Sequence, residues 1–269
     1  MNHLYRELAP VSERAWQQID REAERVLRHF LAGRKLVDFS GPHGWDHGAL
    51  QLGRVDPAAD PPADRVTADV RRVQPLVELR APFEVARVEI DSIDRGNDAP
   101  DLGPVGDAAR RAALAEDRSV FHGYAAGGIE GIAQATTHDR LPISDDYNEY
   151  PGTVARAVAL LQRAGIGGPY GIALGPKCHT GVIETTERGG YPVLEHIRLI
   201  LGGPVVWAPG VDGAIVLSLR GGDFQLVSGQ DLSIGYLDHD AESVRMALVE
   251  SLAFRVLEPD AAVWLAYTS

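Results

Sequence analysis

Between Asp56 and Asp64 the chain reads DPAADPPAD, three prolines and three acids in nine residues. Proline donates nothing to a strand ladder and ionised acids stay in water, so no core strand or helix passes through this stretch. It is a solvent-facing turn. Beyond it, Val77, Leu79, Ala81, Phe83 and Val85 alternate with Glu78, Arg80, Pro82 and Glu84, a period of two that predicts a strand. Pro82 places that strand at an edge or an irregularity. The extended pattern runs from Lys35 to about Asp94, so the acidic turn is the tip of a long projecting hairpin. An isolated globule gains little from such an arm. A chain that interlocks with its neighbours can have the arm's apolar positions covered by another subunit.

Helical periodicity frames the hairpin. Trp16, Ile19, Ala23, Val26, Leu27, Phe30 and Leu31 recur at three- and four-residue spacing and predict an amphipathic helix over 12–32, with Ser12 as N-cap and Gly33 as C-cap. Further helices are expected over 107–125, ended by Gly127 and Gly128, over 151–164, closed by Gly165, and over 192–201. The remainder of 166–219 mixes short strands with Gly/Pro turns, and 224–267 reads as strands. The fold class is α+β, without a linker or an internal repeat.

The chain has 269 residues, 45% of them hydrophobic, enough for one large domain or two smaller ones. A formal net charge of −12 without a Lys/Arg-rich run argues against nucleic acid and against an anionic membrane surface. No apolar stretch reaches the ~20 residues of a membrane span, and the first residues lack the apolar core of a secretory signal. With one cysteine, Cys178, no intrachain disulfide framework exists. These features predict a reducing compartment, the cytoplasm.

Candidate chemistry is sparse. The stretch GPHGWDHG (41–48) brings His43, Asp46 and His47 together, but its glycines and proline exclude the helix on which His at i and i+4 would share a metal. It reads as a turn of special backbone angles with Trp45 packing inward. Cys178 and His179 are adjacent, so their side chains point apart, and Cys178 reads as a half-buried structural residue. The glycine clusters at 125–131, 202–204 and 220–223 match neither a phosphate loop nor a dinucleotide fingerprint. Asp145-Asp146 and Asp238-His239-Asp240 read as solvated loop charges. The residues alone favour an assembling protein over an enzyme.

Several longer motifs carry a resemblance. LYRELAPVSERAWQQIDREA, LAGRKLVDFSGPHGWDHGA, IDSIDRG, AEDRSVFHGYAAGGIEGI, GPYGIALGP, GGYPVLEHI and above all RGGDFQLVSGQDLSIGY resemble the family 1 encapsulin shell proteins, which include the linocin-type bacteriocins. The resemblance runs in order from Asn2 to about Tyr267. It implies the HK97 phage major-capsid fold: an N-terminal helix and arm over 1–40, an extended E-loop over 41–80, a P-domain from 81–135 and 220–269, and an A-domain over 136–219. It implies an icosahedral homo-oligomeric shell, itself no enzyme, enclosing a dye-decolourising peroxidase or ferritin-like cargo that carries haem or iron. Iron storage and oxidative stress follow as expected roles.

In that family a cargo's C-terminal loading peptide docks between the N-terminal helix and the P-domain. The matching positions are Leu27, Phe30, Leu31, Arg34 and Asp38, with Asp231, Leu232, Ile234 and Tyr236. Glu187, Arg188, Gly189, Gly190 and Tyr191 match the loop at the five-fold pore. Val88 stands where some members carry a flavin-stacking tryptophan, so the resemblance implies no flavin here, and it assigns no metal ligand. Two alternatives stand beside this expectation: a prophage capsid protein that packages DNA, and a soluble metal-dependent or hydrolytic enzyme using His43, Asp46 and His47 or Cys178. In the shell reading GPHGWDHG is the hinge from which the E-loop is aimed.

Overall fold

A computed structural model describes residues 3–187 and 189–267. The first helix, α1 (Glu13–Phe30), begins as its sequence dictates: the Ser12 hydroxyl accepts the Ala15 N–H at 3.1 Å. It buries the stripe Ala15, Trp16, Ile19, Ala23, Val26 and Leu27. Its end differs from expectation. Leu31 is already extended, and the amides of Ala32 and Gly33 donate to the buried Asp117 carboxylate at 3.0 and 2.8 Å. Gly33 is therefore there for close approach and not for a left-handed cap. A Cβ at that position would sit 3.2 Å from Asp117 Oδ1.

Next come β1 (Asp38–Ser40) and the arm, β2 (Ala49–Pro57) paired antiparallel with β3 (Asp69–Pro75). The DPAADPPAD segment closes that hairpin, as its composition requires. β4 (Val77–Ala86) follows, with Pro82 in it where expected: among the described residues β4 pairs only with β11 (Ser243–Val256), so its other edge is free of strands. The extended pattern stops there. Residues Arg87–Asp94 form α2, because Ile90 and Ile93 at helical spacing are both buried.

α3 (Gly103–His122) starts four residues earlier than the periodicity suggested, with Pro104 in its first turn, and ends at Gly123 with φ 82°. Beyond it lie α4 (Ile132–Ala135), β5 (Leu141–Ile143), α5 (Tyr150–Arg163), β6 (Tyr170–Leu174), α6 (Pro176–Glu184), α7 (Val193–Leu201), β7 (Val205–Trp207) and β8 (Ala214–Ser218). The Gly/Pro-rich sequence around Cys178 concealed α6, whose Pro176 sits in the first turn and whose Gly181 accepts the ring of Tyr147. The chain finishes with β9 (Phe224–Ser228), β10 (Ser233–His239), β11 (Ser243–Val256) and β12 (Ala262–Tyr267).

Two sheets organise these elements. In the first, the 14-residue β11 carries β4 along one side and β10 then β9 along the other, with β1 beyond β9. α1 and α3 cover one face, burying Phe83, Val85, Ile234, Met246 and Leu248. The second sheet has the order β5-β12-β8-β6-β7 and packs against α5 and α7. Although 220–269 was expected in the first body, β12 belongs to this second sheet, paired with β8 and β5. The last strand thus ties the two together.

The GPHGWDHG turn is a backbone device. Gly41 and Gly44 have φ 135° and 115°, and the amides of His43 and Gly44 donate to the carbonyls of Ser228 and Gly229 at 3.0 and 2.9 Å. Trp45 does not pack inward. It is 58% exposed and stacks on His3 at 4.9 Å.

Candidate functional site

A groove of about 500 Å³ runs between α1 and β10. Its walls are Ala23 and Leu27 from α1, Leu31 just past its end, Leu232 just before β10, Ile234 within it, Leu248 from β11, and Leu4. The spacing follows from geometry: residues 20, 23, 24, 27, 28 and 31 share one helical face, and Leu248 is the cross-strand partner of Ile234. Every charge in the groove is paired. Arg6 meets Asp20 at 2.7 Å, Arg28 meets Glu24, and Arg34 meets Asp231 at 2.8 Å.

Arg34 is the structural centre. Its Nε and Nη2 donate to Glu116 at 2.9 and 2.6 Å, its Nη1 to Asp231 at 2.8 Å and its Nη2 also to Glu250 at 2.7 Å. Glu116 and Glu250 are fully buried. Burial opposes the guanidinium's charge, but the three carboxylates outweigh it and hold its pKa above the ordinary value. Burial, then the neighbouring Glu116 charge, drives the Glu250 pKa well above the usual carboxylate range. The resemblance places Arg34 among the peptide-docking positions. Within the chain this guanidinium also fixes Asp231, whose Oδ1 accepts the Leu232 amide at 2.8 Å.

Beside this cluster, burial pushes Asp117 up to about 7 despite the amides of Gly33 and Ala32 that it accepts. A carboxyl raised in the folded chain binds more protons there than when unfolded. Its contribution to stability is therefore present below the ordinary acid range and lost as pH rises toward 7. The urea midpoint should fall between pH 5 and pH 8, and Asp117→Asn should fall clearly less; an equal fall in both would contradict this assignment.

Of the residues singled out in the sequence, Leu27, Leu31, Arg34, Asp231, Leu232 and Ile234 converge on the groove. Phe30 does not: its ring lies 5.1 Å from His29 and 5.3 Å from Trp207. Asp38 accepts the Gly222 amide at 2.6 Å outside the groove. The Tyr236 hydroxyl meets His239 Nδ1 at 2.6 Å and lines a separate cavity with His3 and Trp45. Sequence reasoning missed Asp20, Ala23, Glu24 and Arg28, which the helical period of Leu27 could have supplied, and Leu248. It also missed Leu4 and Arg6, for which no periodic signal existed. They reach the groove because the Leu4 carbonyl accepts the Tyr236 amide at 2.8 Å and Arg6 lies over the Trp16 ring at 3.9 Å.

The loop between α6 and α7 is a tight turn. Glu187 N–H donates to the Tyr191 carbonyl at 2.8 Å, Gly189 and Gly190 have φ 111° and 83°, and Tyr191 is exposed. Glu187 Oε1 lies 2.7 Å from His196 Nδ1. Arg188 lies outside the described residues. Val88 stands on the outer face of α2, exposed.

The enzyme candidates fare poorly. His43 and His47 have ring centroids 5.0 Å apart, but no group of three His, Cys, Asp or Glu placed to hold a metal ion occurs among the described residues. Cys178 is fully buried, not half-buried. The Tyr150 hydroxyl donates to its sulfur at 3.1 Å, and burial pushes its pKa up, the opposite of an activated thiolate.

The family described as "Encapsulating protein for peroxidase" matches residues 1–253. A type 1 encapsulin shell protein of Rhodospirillum rubrum is 51% identical over 268 residues, spanning 98% of this chain and 96% of the relative. The chain belongs to the type 1 encapsulin shell proteins. Its fold is that of HK97-type capsids. The virus-like particle of Pyrococcus furiosus superposes with a TM-score of 0.65 at 17% identity, covering 92% of this chain and 98% of that one. A chain from Gordonia phage Cozz gives 0.55 at 12% identity, over 89% and 87%. This encapsulin is thus a structural chain that forms capsid-like shells, and the soluble-enzyme alternative falls away. Among the described residues no helix is long and apolar enough to cross a membrane.

Proposed function

We propose that copies of this chain close into an icosahedral compartment in the cytoplasm and that the α1–β10 groove holds the C-terminal loading peptide of an enclosed enzyme. The observation that carries this reading is the groove's chemistry: a row of aliphatic walls with every charge neutralised in place. Such a surface favours an extended, aliphatic peptide and offers little to a nucleic acid or to an ionic ligand. One groove of this size binds weakly. A multimeric cargo facing many identical grooves is retained by avidity.

The cargo is an oxidoreductase of the peroxidase or ferritin-like class, carrying haem or iron; the matching family's description as an encapsulating protein for peroxidase supports the peroxidase half of this reading. Roles in iron storage and oxidative stress follow from that cargo. The Glu187–Tyr191 loop would line the route for its small substrates. The shell itself would carry no flavin, since Val88 offers no aromatic face. A DNA-packaging role is disfavoured by the net charge of −12.

Leu232 is part-buried in the groove wall, so Leu232→Asp places a charge where an aliphatic side chain should dock while sparing the core. Particles of this variant should assemble normally yet co-purify with at least roughly tenfold less cargo, a loss of about 1.4 kcal/mol or more per groove. Leu237→Asp, on the same strand but outside the groove, should retain full loading. Undiminished cargo in Leu232→Asp particles would sink the docking assignment.

A further inference from the structure

Three tyrosines surround the only thiol in the sequence. Cys178 is fully buried in α6; its sulfur accepts the Tyr150 hydroxyl at 3.1 Å and lies 3.2 Å from the Tyr267 hydroxyl. Tyr267 Oη is also 3.3 Å from Tyr147 Oη and 3.4 Å from Tyr150 Oη. Tyr150 is buried, whereas Tyr147 and Tyr267 are half-buried, so the contacts run unbroken from the surface to the sulfur. The fold gives up stability to build this path. Gly181 sits inside α6, where glycine costs about 0.5–1 kcal/mol relative to alanine. A Cβ there would lie 2.1 Å from the Tyr147 ring, so only glycine lets that ring reach the cluster.

Hydrogen bonding alone does not call for sulfur here. A thiol is a weak donor and a weak acceptor, and a serine hydroxyl would satisfy two phenols better. Burial holds the Cys178 thiol and the Tyr267 phenol above their ordinary pKa values, so both keep their protons at neutral pH. A protonated, buried thiol is closed to peroxides, which attack the thiolate. What thiol and phenol share is the capacity to lose one electron together with one proton. Lys177 Nζ lies 4.3 Å from the centre of the Tyr267 ring and opposes positive charge on it. An electron therefore leaves that ring only with the phenolic proton, and a hydrogen-bonded partner stands ready to receive it.

We propose that Tyr147, Tyr267 and Cys178 form a one-electron relay that carries an oxidising equivalent from the surface of the chain onto the buried sulfur. An oxidant of the class of a hydroxyl radical or a high-valent metal centre takes an electron from Tyr147, whose phenolic proton passes to water. Tyr267 then gives a hydrogen atom to the Tyr147 oxygen: its own O–H bond breaks and the Tyr147 O–H bond is restored. Cys178 in turn gives its hydrogen atom to the Tyr267 oxygen, which breaks S–H, restores that phenol and leaves a thiyl radical. The sum is one electron to the oxidant, one proton to solvent and one oxidised Cys178 per chain. Tyr150, donating to the sulfur, keeps it facing Tyr267. The surface phenols are thereby spared radical coupling.

The test uses assembled shells of the full chain and the tris-bipyridyl complex of ruthenium(III), a bulky one-electron oxidant that cannot enter the core. In aerated buffer the thiyl radical adds dioxygen and can no longer be alkylated, so the surviving thiol is counted by alkylation after unfolding and mass spectrometry. Wild-type shells should lose most of their Cys178 thiol, and Tyr267→Phe shells should keep several-fold more of it at the same dose. Hydrogen peroxide alone should leave the thiol intact in both. A wild-type thiol untouched by the ruthenium complex overturns the relay, as does equal loss in Tyr267→Phe or direct loss to peroxide. Cys178→Ser preserves the hydrogen bonds and should assemble even where Tyr267→Phe does not. Frozen after the same oxidation, its shells should carry a several-fold larger phenoxyl signal in electron paramagnetic resonance than wild type; an equal signal overturns the relay as well.

Discussion

Arg34→Ala should be the most damaging single substitution in the chain. It strands Glu116 and Glu250 in the interior and Asp231 beside them, with no cation to offset their charge. Breaking a buried pair by removing one partner costs about 3–5 kcal/mol, a large share of the roughly 5–15 kcal/mol that holds a domain folded. The expected result is a chain that accumulates poorly or unfolds at much lower urea. Arg34→Lys should rescue little, because one ammonium cannot reproduce the planar fork that reaches three carboxylates at once. Glu250→Gln in the Arg34→Ala background should recover part of the loss by removing one carboxyl from the uncompensated cluster. Urea midpoints of the four chains decide this. A midpoint for Arg34→Ala within experimental error of wild type would show that the cluster is not a unit.

Gly41→Ala should have the next largest effect, and a different one. At φ 135° only glycine is at ease, and a Cβ there would lie 2.4 Å from the Ser228 carbonyl oxygen, a backbone atom that cannot swing aside. Backbone strain of this kind costs about 1–3 kcal/mol before the clash is counted. The chain can relieve it only by separating the turn from β9, which breaks the His43 and Gly44 hydrogen bonds to residues 228 and 229 and re-aims the hairpin. Gly41→Ala should therefore fold with reduced stability and assemble into few or malformed shells. Gly48→Ala, with nothing within 4 Å of its Cβ position, should assemble like wild type. Normal shells from Gly41→Ala, scored by native mass and electron microscopy, would contradict the hinge.

How much of this was legible in the sequence depends on the distance over which each feature is decided. The α1 stripe, its Ser12 cap and the acidic hairpin tip are local, and the periods and turn residues gave them almost to the residue. The end of α1 was not, because it is set by Asp117, 84 residues away from Gly33. α6 was hidden because a proline in a first helical turn looks, in sequence, like a proline in a loop. The sheet that β12 joins is likewise a matter of long-range pairing, and no local pattern distinguishes one sheet from the other.

The groove divides in the same way. Leu27, Leu31, Leu232 and Ile234 come to it through periodicity and resemblance together. Leu4 and Arg6 come through one backbone hydrogen bond and one ring contact that no spacing encodes. Arg34 shows the limit most clearly: its three intrachain ion pairs had no local signal, since the partners are 82, 197 and 216 residues away. Trp45 likewise stood out in the sequence, but as an inward anchor, whereas it is the exposed wall of a cavity.

We propose above all that this chain encloses a protein. Particles purified natively from cells that make it, imaged by electron microscopy and analysed by mass spectrometry, test that most directly. The expected result is closed icosahedral shells with protein density against the inner wall and one co-purifying haem or iron oxidoreductase that bears an aliphatic C-terminal segment. Small open oligomers, or shells filled with DNA and no second protein, would contradict it.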